Sequence, residues 1–381
     1  RHRGAHGRDE HRRGQRGMSV STKYWSAGIE LLKAYVPGEQ PQTPSWIKLN
    51  TNENPYPPSG RVLEAIAVGL DDGLRLYPDP NGSLLRASIA HRFDLSPEHV
   101  FLGNGSDEVL GHVFPALLKH DLPVLFPDIT YSFYQVYCGL FGIRHQQVPL
   151  DADFQIQISD YQQANGGIVL ANPNAPTGVA LPLAQIRELL THNTESVVVI
   201  DEAYIDFGGQ SAASLIQEFP QLLVVQTLSK SRSLAGLRAA FALGQPHLIA
   251  ALERVKNSFN SYPLDRLALL GAQAAIEDED HFKTTCEAVI HTREGLVREL
   301  TALGFDTLPS QANFILTRHP LKDAAELLRQ LRDRKILVRH FALPRIEQHL
   351  RISVGTPAEC QTLIEALKDI LNASASEGTP S

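Results

Sequence analysis

The chain has 381 residues, 43% of them hydrophobic and 20% charged, which is enough apolar material for a large buried core and too much for a disordered or fibrous protein. Its formal charge is -7 and no apolar run approaches the roughly 18 residues a membrane helix needs, so neither a bilayer span nor a broad nucleic-acid footprint is expected. Cys138, Cys286 and Cys360 are far apart and form no CxxC pair, which argues for reduced thiols in the cytoplasm rather than a disulfide framework or a zinc site.

Residues 1–17 carry six arginines against Asp9 and Glu10 and precede the single methionine, Met18. They read as an upstream extension, with an Arg-rich targeting peptide as the alternative. Residues 18–57, rich in Pro and Asn, read as an extended arm with one short helix at 27–33. From 58 to 262, apolar runs at 100–102, 124–126, 168–171, 197–200, 222–225 and 239–243 alternate with helical patterns near 106–118, 131–141, 182–191 and 246–257. That alternation predicts an α/β domain whose mainly parallel sheet is covered on both faces. After Pro263, amphipathic stretches at 264–277 and 281–303, strand-like segments at 314–316, 336–338 and 350–354, and a helix over 357–372 predict a smaller α+β domain over 263–372, followed by a polar tail over 373–381.

Three polar residues stand just past three of the apolar runs. Asn172 follows GIVLA, Asp201 follows VVVI and Lys230 follows LLVVQTLS, each 29 positions after the last. In an open α/β sheet ligands bind beyond the carboxyl ends of the strands, so this spacing predicts an amide, a carboxylate and an amine in one crevice. Each alone means little, since an Asp after a strand is often an N-cap and a lone Lys is usually solvated. Together they match pyridoxal 5′-phosphate: the amine forms an imine with its aldehyde, the carboxylate keeps the ring nitrogen protonated, and the amide bonds the phenolic oxygen. Tyr204, in DEAYIDF, is placed to add a hydroxyl to that oxygen, and Tyr131, opening YSFYQVYCGLF, to present a flat face to the ring.

The phosphate also needs partners. Gly103-Asn-Gly105-Ser106-Asp107 follows a strand and opens a helix, so its backbone N–H groups form an anion site. As a GxGxxG motif it fails at Glu108, which argues against a dinucleotide. Ser229 and Arg238, flanking Lys230 in SKSRSLAGLR, supply a hydroxyl and a guanidinium, and Arg232 is an equal candidate on spacing. Arg339 and Arg351 stand at strand ends in the smaller domain and suit bidentate anion binding, although arginines there also snorkel to solvent. The fifteen histidines include no HExxH pair, and GxSxG is absent, so no metal site and no hydrolase elbow are expected.

With these residues in place the sequence resembles the fold-type I pyridoxal-phosphate aminotransferases, and within them the histidinol-phosphate aminotransferase group. The resemblance runs from Tyr24 to about Leu371 through YVPGEQ, LNTNENPYPPS, LYPDP, GNGSDE, NPNAPTG, VVVIDEAYIDF, TLSKSRSLAGLR and LRISVGT, in the family's order. It implies a large domain with a mainly parallel sheet of the seven-stranded type plus a smaller α+β domain. It also implies an enzyme of histidine biosynthesis exchanging an amino group between L-histidinol phosphate and 2-oxoglutarate. By position, Lys230 resembles the imine lysine, Asp201 the partner of the pyridine nitrogen, and Asn172 and Tyr204 the partners of the phenolic oxygen. Tyr131 resembles the stacking aromatic, and Gly105, Ser106, Asp107, Ser229 and Arg238 the phosphate cradle. Tyr77 resembles a tyrosine that reaches the neighbouring subunit's cofactor, which implies a homodimer with shared sites. Tyr35, Asn54, Arg339 and Arg351 resemble substrate contacts. Ala175 departs from a commoner Asn, and HFALPRIEQHL between Arg339 and Arg351 is a subgroup form bordering the substrate phosphate. A threonine-phosphate decarboxylase-like lyase and an aromatic amino acid aminotransferase are the alternatives.

Overall fold

The computed structural model describes residues 22–43 and 45–376; the Arg-rich stretch 1–17 and the last part of the tail lie outside them. The chain up to Ala34 is one unit, whose described part holds a single 3-10 turn, Ile29–Leu31, inside the expected short helix. Tyr35–Ser381 form the other.

In that second unit the two-residue strand β1 (Ile47–Lys48) leads through helices α1 (Gly60–Val68) and α2 (Ser83–Arg92) to β2 (Val100–Gly103), α3 (Ser106–Leu117), β3 (Val124–Pro127), α4 (Phe133–Phe141) and β4 (His145–Val148). β5 (Gly167–Ala171), α5 (Leu183–His192), β6 (Val198–Asp201), β7 (Leu222–Thr227), β8 (Ala240–Gly244) and α6 (Pro246–Asn257) follow. Seven of these strands form one sheet in the order β2-β8-β7-β6-β5-β3-β4. It is parallel from β7 to β4 and antiparallel on both sides of β8. The reason lies in composition: every residue of β5, β6 and β7 is buried, as strands covered on both faces require. The edge strand β4, with sequence HQQV, buries only Val148, so it carries no apolar run and escapes a reading based on hydrophobic periodicity. Helix α1 starts at Ser59, which caps it by accepting from the Val62 N–H, and Val62 is its buried anchor.

The remainder comprises α7 (Arg266–Glu277), α8 (Glu279–Ala302), β9 (Asp306–Thr307), β10 (Phe314–Arg318), α9 (Ala324–Asp333), β11 (Ile336–Leu337), β12 (Arg339–His340), β13 (Leu350–Ser353) and α10 (Pro357–Ser376). A four-stranded antiparallel sheet, β12-β13-β10-β9, packs on a core that includes Leu49, Leu296, Ile315, Leu327 and Leu363. β1 pairs in parallel with β11, so the chain at Ile47–Lys48 is joined to this smaller layer.

Packing and sequence texture part company at α7. Its Ala268, Ala272, Ala275 and Ile276 join the cluster of the large sheet, although the change in pattern falls at Pro263. Small residues explain the fit: a β-carbon at Gly271 would press within 3.0 Å of Ile66 on α1, so the bare helix face lets the two axes approach. At the other end α10 continues to Ser376, past the expected limit of 372.

Candidate active site

Strand register builds the site. Ala171 lies opposite Asp201, and Asp201 opposite Val225, so the carboxyl ends of β5, β6 and β7 are level and Asn172, Asp201 and Lys230 leave the sheet at one edge. Asp201 is 5% exposed. The Tyr134 hydroxyl donates to its Oδ2 at 2.7 Å, while its Oδ1 is buried with no partner. Burial pushes this carboxyl up to about 6, against the opposing pull of the Tyr134 bond. A buried carboxylate oxygen without a donor is costly unless a ligand supplies one, and a protonated pyridine nitrogen is such a donor. That orphaned oxygen is the observation on which pyridoxal 5′-phosphate fits this edge.

Asn172 is pinned by Leu181, whose N–H it accepts through Oδ1 at 2.8 Å and to whose carbonyl it donates through Nδ2 at 3.2 Å. An amide has two N–H donors, so one is left for a ligand. Lys230 Nζ donates to the Thr51 carbonyl at 3.3 Å and lies 5.7 Å from the Tyr204 ring centre. Its backbone is held from two sides: Asn54 Nδ2 donates to the Lys230 carbonyl at 3.0 Å, and the Ser231 hydroxyl to Asp206 at 2.6 Å.

The glycine loop at 103–107 runs from β2 into α3. Gly105 has φ +83°, the left-handed region that glycine tolerates, and a β-carbon there would run into the Arg238 guanidinium. Gly105 caps α3 with no side chain, so the first N–H groups of the helix face outward beside Arg238. Thr227 donates to Ser229 Oγ at 3.0 Å, which leaves the Ser229 proton to donate elsewhere. The structure separates the two arginine candidates. Arg232 turns away: it donates to the Ala275 carbonyl at 2.6 Å and to Glu279 at 2.9 Å, with its guanidinium 3.6 Å from the Phe282 ring centre. Asp107 accepts from the Tyr131 hydroxyl at 2.8 Å and lies 3.8 Å from Arg238. Burial and that carboxylate push the Tyr131 phenol well above its ordinary range, so it remains a neutral donor.

Opposite this edge, Arg339 and Arg351 are cross-strand neighbours on β12 and β13. Arg351 donates to the Asn50 carbonyl at 2.9 Å, its Nε is buried without a partner, and it lies between Phe314 at 5.4 Å and Phe341 at 5.3 Å. Arg339 lies 5.6 Å from the same Phe341 ring and donates to the Val36 carbonyl at 3.5 Å. Burial draws the Arg351 guanidinium below its usual range, which favours an anion that restores the charge balance. Tyr35 bridges the two sides: it stacks on Phe133 at 4.8 Å and meets Tyr131 edge-on at 6.0 Å. Burial raises its phenol while Arg339 and Arg351 hold it down.

Asn54 bonds to the backbone of Lys230, Ser231 and Tyr56, so it braces the lysine segment. Tyr77 is 82% exposed and stacks on Tyr262 at 4.6 Å, outside the cleft of its own chain. Sequence reasoning missed Tyr134, Thr227, Phe341 and Asn52. Tyr134 had a readable signal, one helical turn after Tyr131 in YSFYQVY. Nothing local marks Asn52, whose partners lie more than 150 positions away.

A depression of about 570 Å³ opens at the opposite, amino-terminal edge of β5–β7, lined by His120, Glu195 and His247 among others, without any comparable convergence of groups. Among the described residues no group of His, Cys, Asp or Glu could hold a metal ion, and no helix is long and apolar enough to cross a membrane.

A family model described as aminotransferase class I and II matches residues 44–367. Histidinol-phosphate aminotransferase 1 of Methylococcus capsulatus is 62% identical over 352 residues, 92% of this chain and 99% of that one. Histidinol-phosphate aminotransferase 2 of Dechloromonas aromatica is 61% identical over 353 residues, again 92% and 99%. Among solved structures, histidinol-phosphate aminotransferase from Sinorhizobium meliloti in complex with pyridoxal-5′-phosphate superposes with a TM-score of 0.82 at 23% identity, covering 93% of this chain and 99% of that one.

Proposed function

Since the chain belongs to the class I and II aminotransferases, we propose that it is a pyridoxal-phosphate-dependent histidinol-phosphate transaminase, exchanging the amino group between L-histidinol phosphate with 2-oxoglutarate and imidazole acetol phosphate with L-glutamate. The observation that carries the substrate assignment is identity of about 60% with enzymes of that name along almost their full length. Bound pyridoxal phosphate supplies an electron sink for the charge left when the substrate α-proton is removed.

The chain's own residues do the rest. Lys230 Nζ takes the proton from the substrate α-carbon. Asp201 keeps the ring nitrogen protonated through its open Oδ1. Asn172 and Tyr204 donate to the phenolic oxygen, and Tyr131 packs on the ring. Gly105, Ser106, Asp107, Ser229 and Arg238 hold the phosphate, the helix N–H groups and guanidinium carrying its charge. Arg351 and Arg339 bind the carboxylate of glutamate in one half-reaction and the phosphate of histidinol phosphate in the other. A planar guanidinium fork matches both anions.

A homodimer is part of the same proposal, and it is supported by large apolar side chains left open to solvent: Val68, Leu70, Leu74, Leu76, Tyr77 and Phe259. A homodimer covers them and carries Tyr77 toward the partner's cofactor. Its expected mass in sedimentation is twice 42.0 kDa, and a monomer at assay concentration would remove Tyr77 from the site. We place the enzyme in the cytoplasm, in keeping with its three unpaired, buried cysteines.

The decisive experiment is a substrate panel with glutamate as donor, followed by cofactor absorbance. Imidazole acetol phosphate is expected to turn over fastest. Release of carbon dioxide from L-threonine phosphate without a 2-oxo acid would instead identify a lyase, and preference for aromatic 2-oxo acids an aromatic transaminase.

A further inference from the structure

We infer that Asn52 is a positioning residue for Tyr204, fixing which way its hydroxyl donates. Asn52 is 1% exposed and sits at φ 55°, a left-handed conformation that asparagine adopts more readily than most residues. Its Nδ2 donates to the Tyr204 hydroxyl oxygen at 3.1 Å. Ser353 Oγ donates to Asn52 Oδ1 at 2.9 Å while accepting from the Asn52 backbone N–H at 2.8 Å, an arrangement that turns Oδ1 toward Ser353 and leaves Nδ2 facing Tyr204. Asn313 completes the clamp, donating to the Asn52 carbonyl at 2.9 Å.

The consequence is chemical. With its oxygen already accepting, Tyr204 has its proton to give, and among the described residues no hydrogen bond takes that proton up. Phe314 meets the Tyr204 ring edge-on at 4.9 Å and limits its movement. A donor to a hydroxyl oxygen also strengthens the bond the hydroxyl makes onward. Asn52 therefore aims and strengthens the donation of Tyr204 to the cleft. Ser353 lies two residues from Arg351 on β13, so the clamp comes from the same strand that carries the anion-binding guanidinium.

This inference rests on the proposed role of Tyr204 at the phenolic oxygen. A negative phenolic oxygen favours a proton on the Lys230 nitrogen. Weakening a donor to that oxygen tightens the nitrogen's hold and raises the pH at which the bound cofactor's visible absorbance titrates. The charged and titratable groups facing Tyr204 are Lys230, Arg351 and Tyr35, and the variants leave all three in place.

The test is a spectrophotometric pH titration of the holoenzyme, three single variants and one double variant. Asn52→Gly keeps the left-handed backbone and its bonds to Ser353 and Asn313 but deletes the amide; Ser353→Ala keeps the amide but frees it to turn. The expected result is a rise in titration midpoint for Asn52→Gly of about half a pH unit or more, a smaller rise for Ser353→Ala, and no further rise when Asn52→Gly is added to Tyr204→Phe. If Tyr204→Phe shifts the midpoint but Asn52→Gly and Ser353→Ala only lower the melting temperature, Asn52 is a packing residue and the inference fails alone. If Tyr204→Phe shifts nothing, the assignment of Tyr204 fails and the inference falls with it.

Discussion

The carboxyl edge of the large sheet and the strand pair β12–β13 present charged groups to the same cleft, yet they hold them by different physics. At the sheet edge each polar group is locked by hydrogen bonds of fixed direction: Tyr134 to Asp201, Leu181 to Asn172, Thr227 to Ser229. On the facing strands the two guanidiniums share the Phe341 ring, Arg351 also meets Phe314, and both touch backbone carbonyls. Aromatic faces attract a cation without dictating its orientation closely. The first region suits a cofactor that keeps its place; the second suits two anions of different shape that alternate.

Breaking the rigid side produces the largest effects. Lys230→Ala is expected to lower turnover by at least about 10³-fold, since the proposed general base is removed outright, while circular dichroism stays native. Substantial turnover in that variant would remove Lys230 from the proton transfer.

Asp201→Asn keeps the Tyr134 bond but removes the charge, so turnover falls steeply and the cofactor is held less tightly. The same change has the opposite sign in the cofactor-free protein. Its folded carboxyl titrates at about 6 instead of near 3.8, so relative stability is fully present below pH 3.8 and is lost as pH rises through about 6. At pH 8 the cofactor-free variant is therefore expected to be more stable than the parent by roughly 1–3 kcal/mol in denaturant unfolding, an order-of-magnitude figure from the linkage relation. Equal stability at pH 8 would mean that Asp201 has a partner without the cofactor.

The adaptable side gives graded losses. Arg351→Ala should cost roughly 2–5 kcal/mol in binding of both substrates, by analogy with truncated buried charge pairs. Normal Michaelis constants for glutamate and imidazole acetol phosphate would count against the anchor. Phe341→Leu sharpens the contrast most finely: losing one aromatic face from two guanidiniums should weaken anion binding by about 0.5–2 kcal/mol, seen in KM with kcat little changed. A change in kcat alone would mean that Phe341 acts on the chemistry and not on the arginines.

Legibility followed the range of the interactions involved. Asn172, Asp201 and Lys230 were readable because each ends a buried parallel strand, and a strand of that kind must be a continuous apolar run whatever lies around it. The glycine at 105 was readable because a left-handed turn into a helix demands it locally. The choice between Arg232 and Arg238 was not, because both lie in one turn-rich segment and only α7 and α8, arriving from elsewhere, draw Arg232 away.

What the amino-acid sequence determined by itself was the α/β class, the order of its elements, the cofactor chemistry and the residues that stand at strand ends, all consequences of short-range pattern. Tertiary structure alone decided that α7 packs with the large sheet, that Asn54 braces the lysine, that Phe341 serves two arginines and that Asn52 meets Tyr204. Those contacts join segments far apart in the chain, and their partners are chosen by packing and by the need to satisfy buried polar groups, neither of which leaves a periodic mark in sequence.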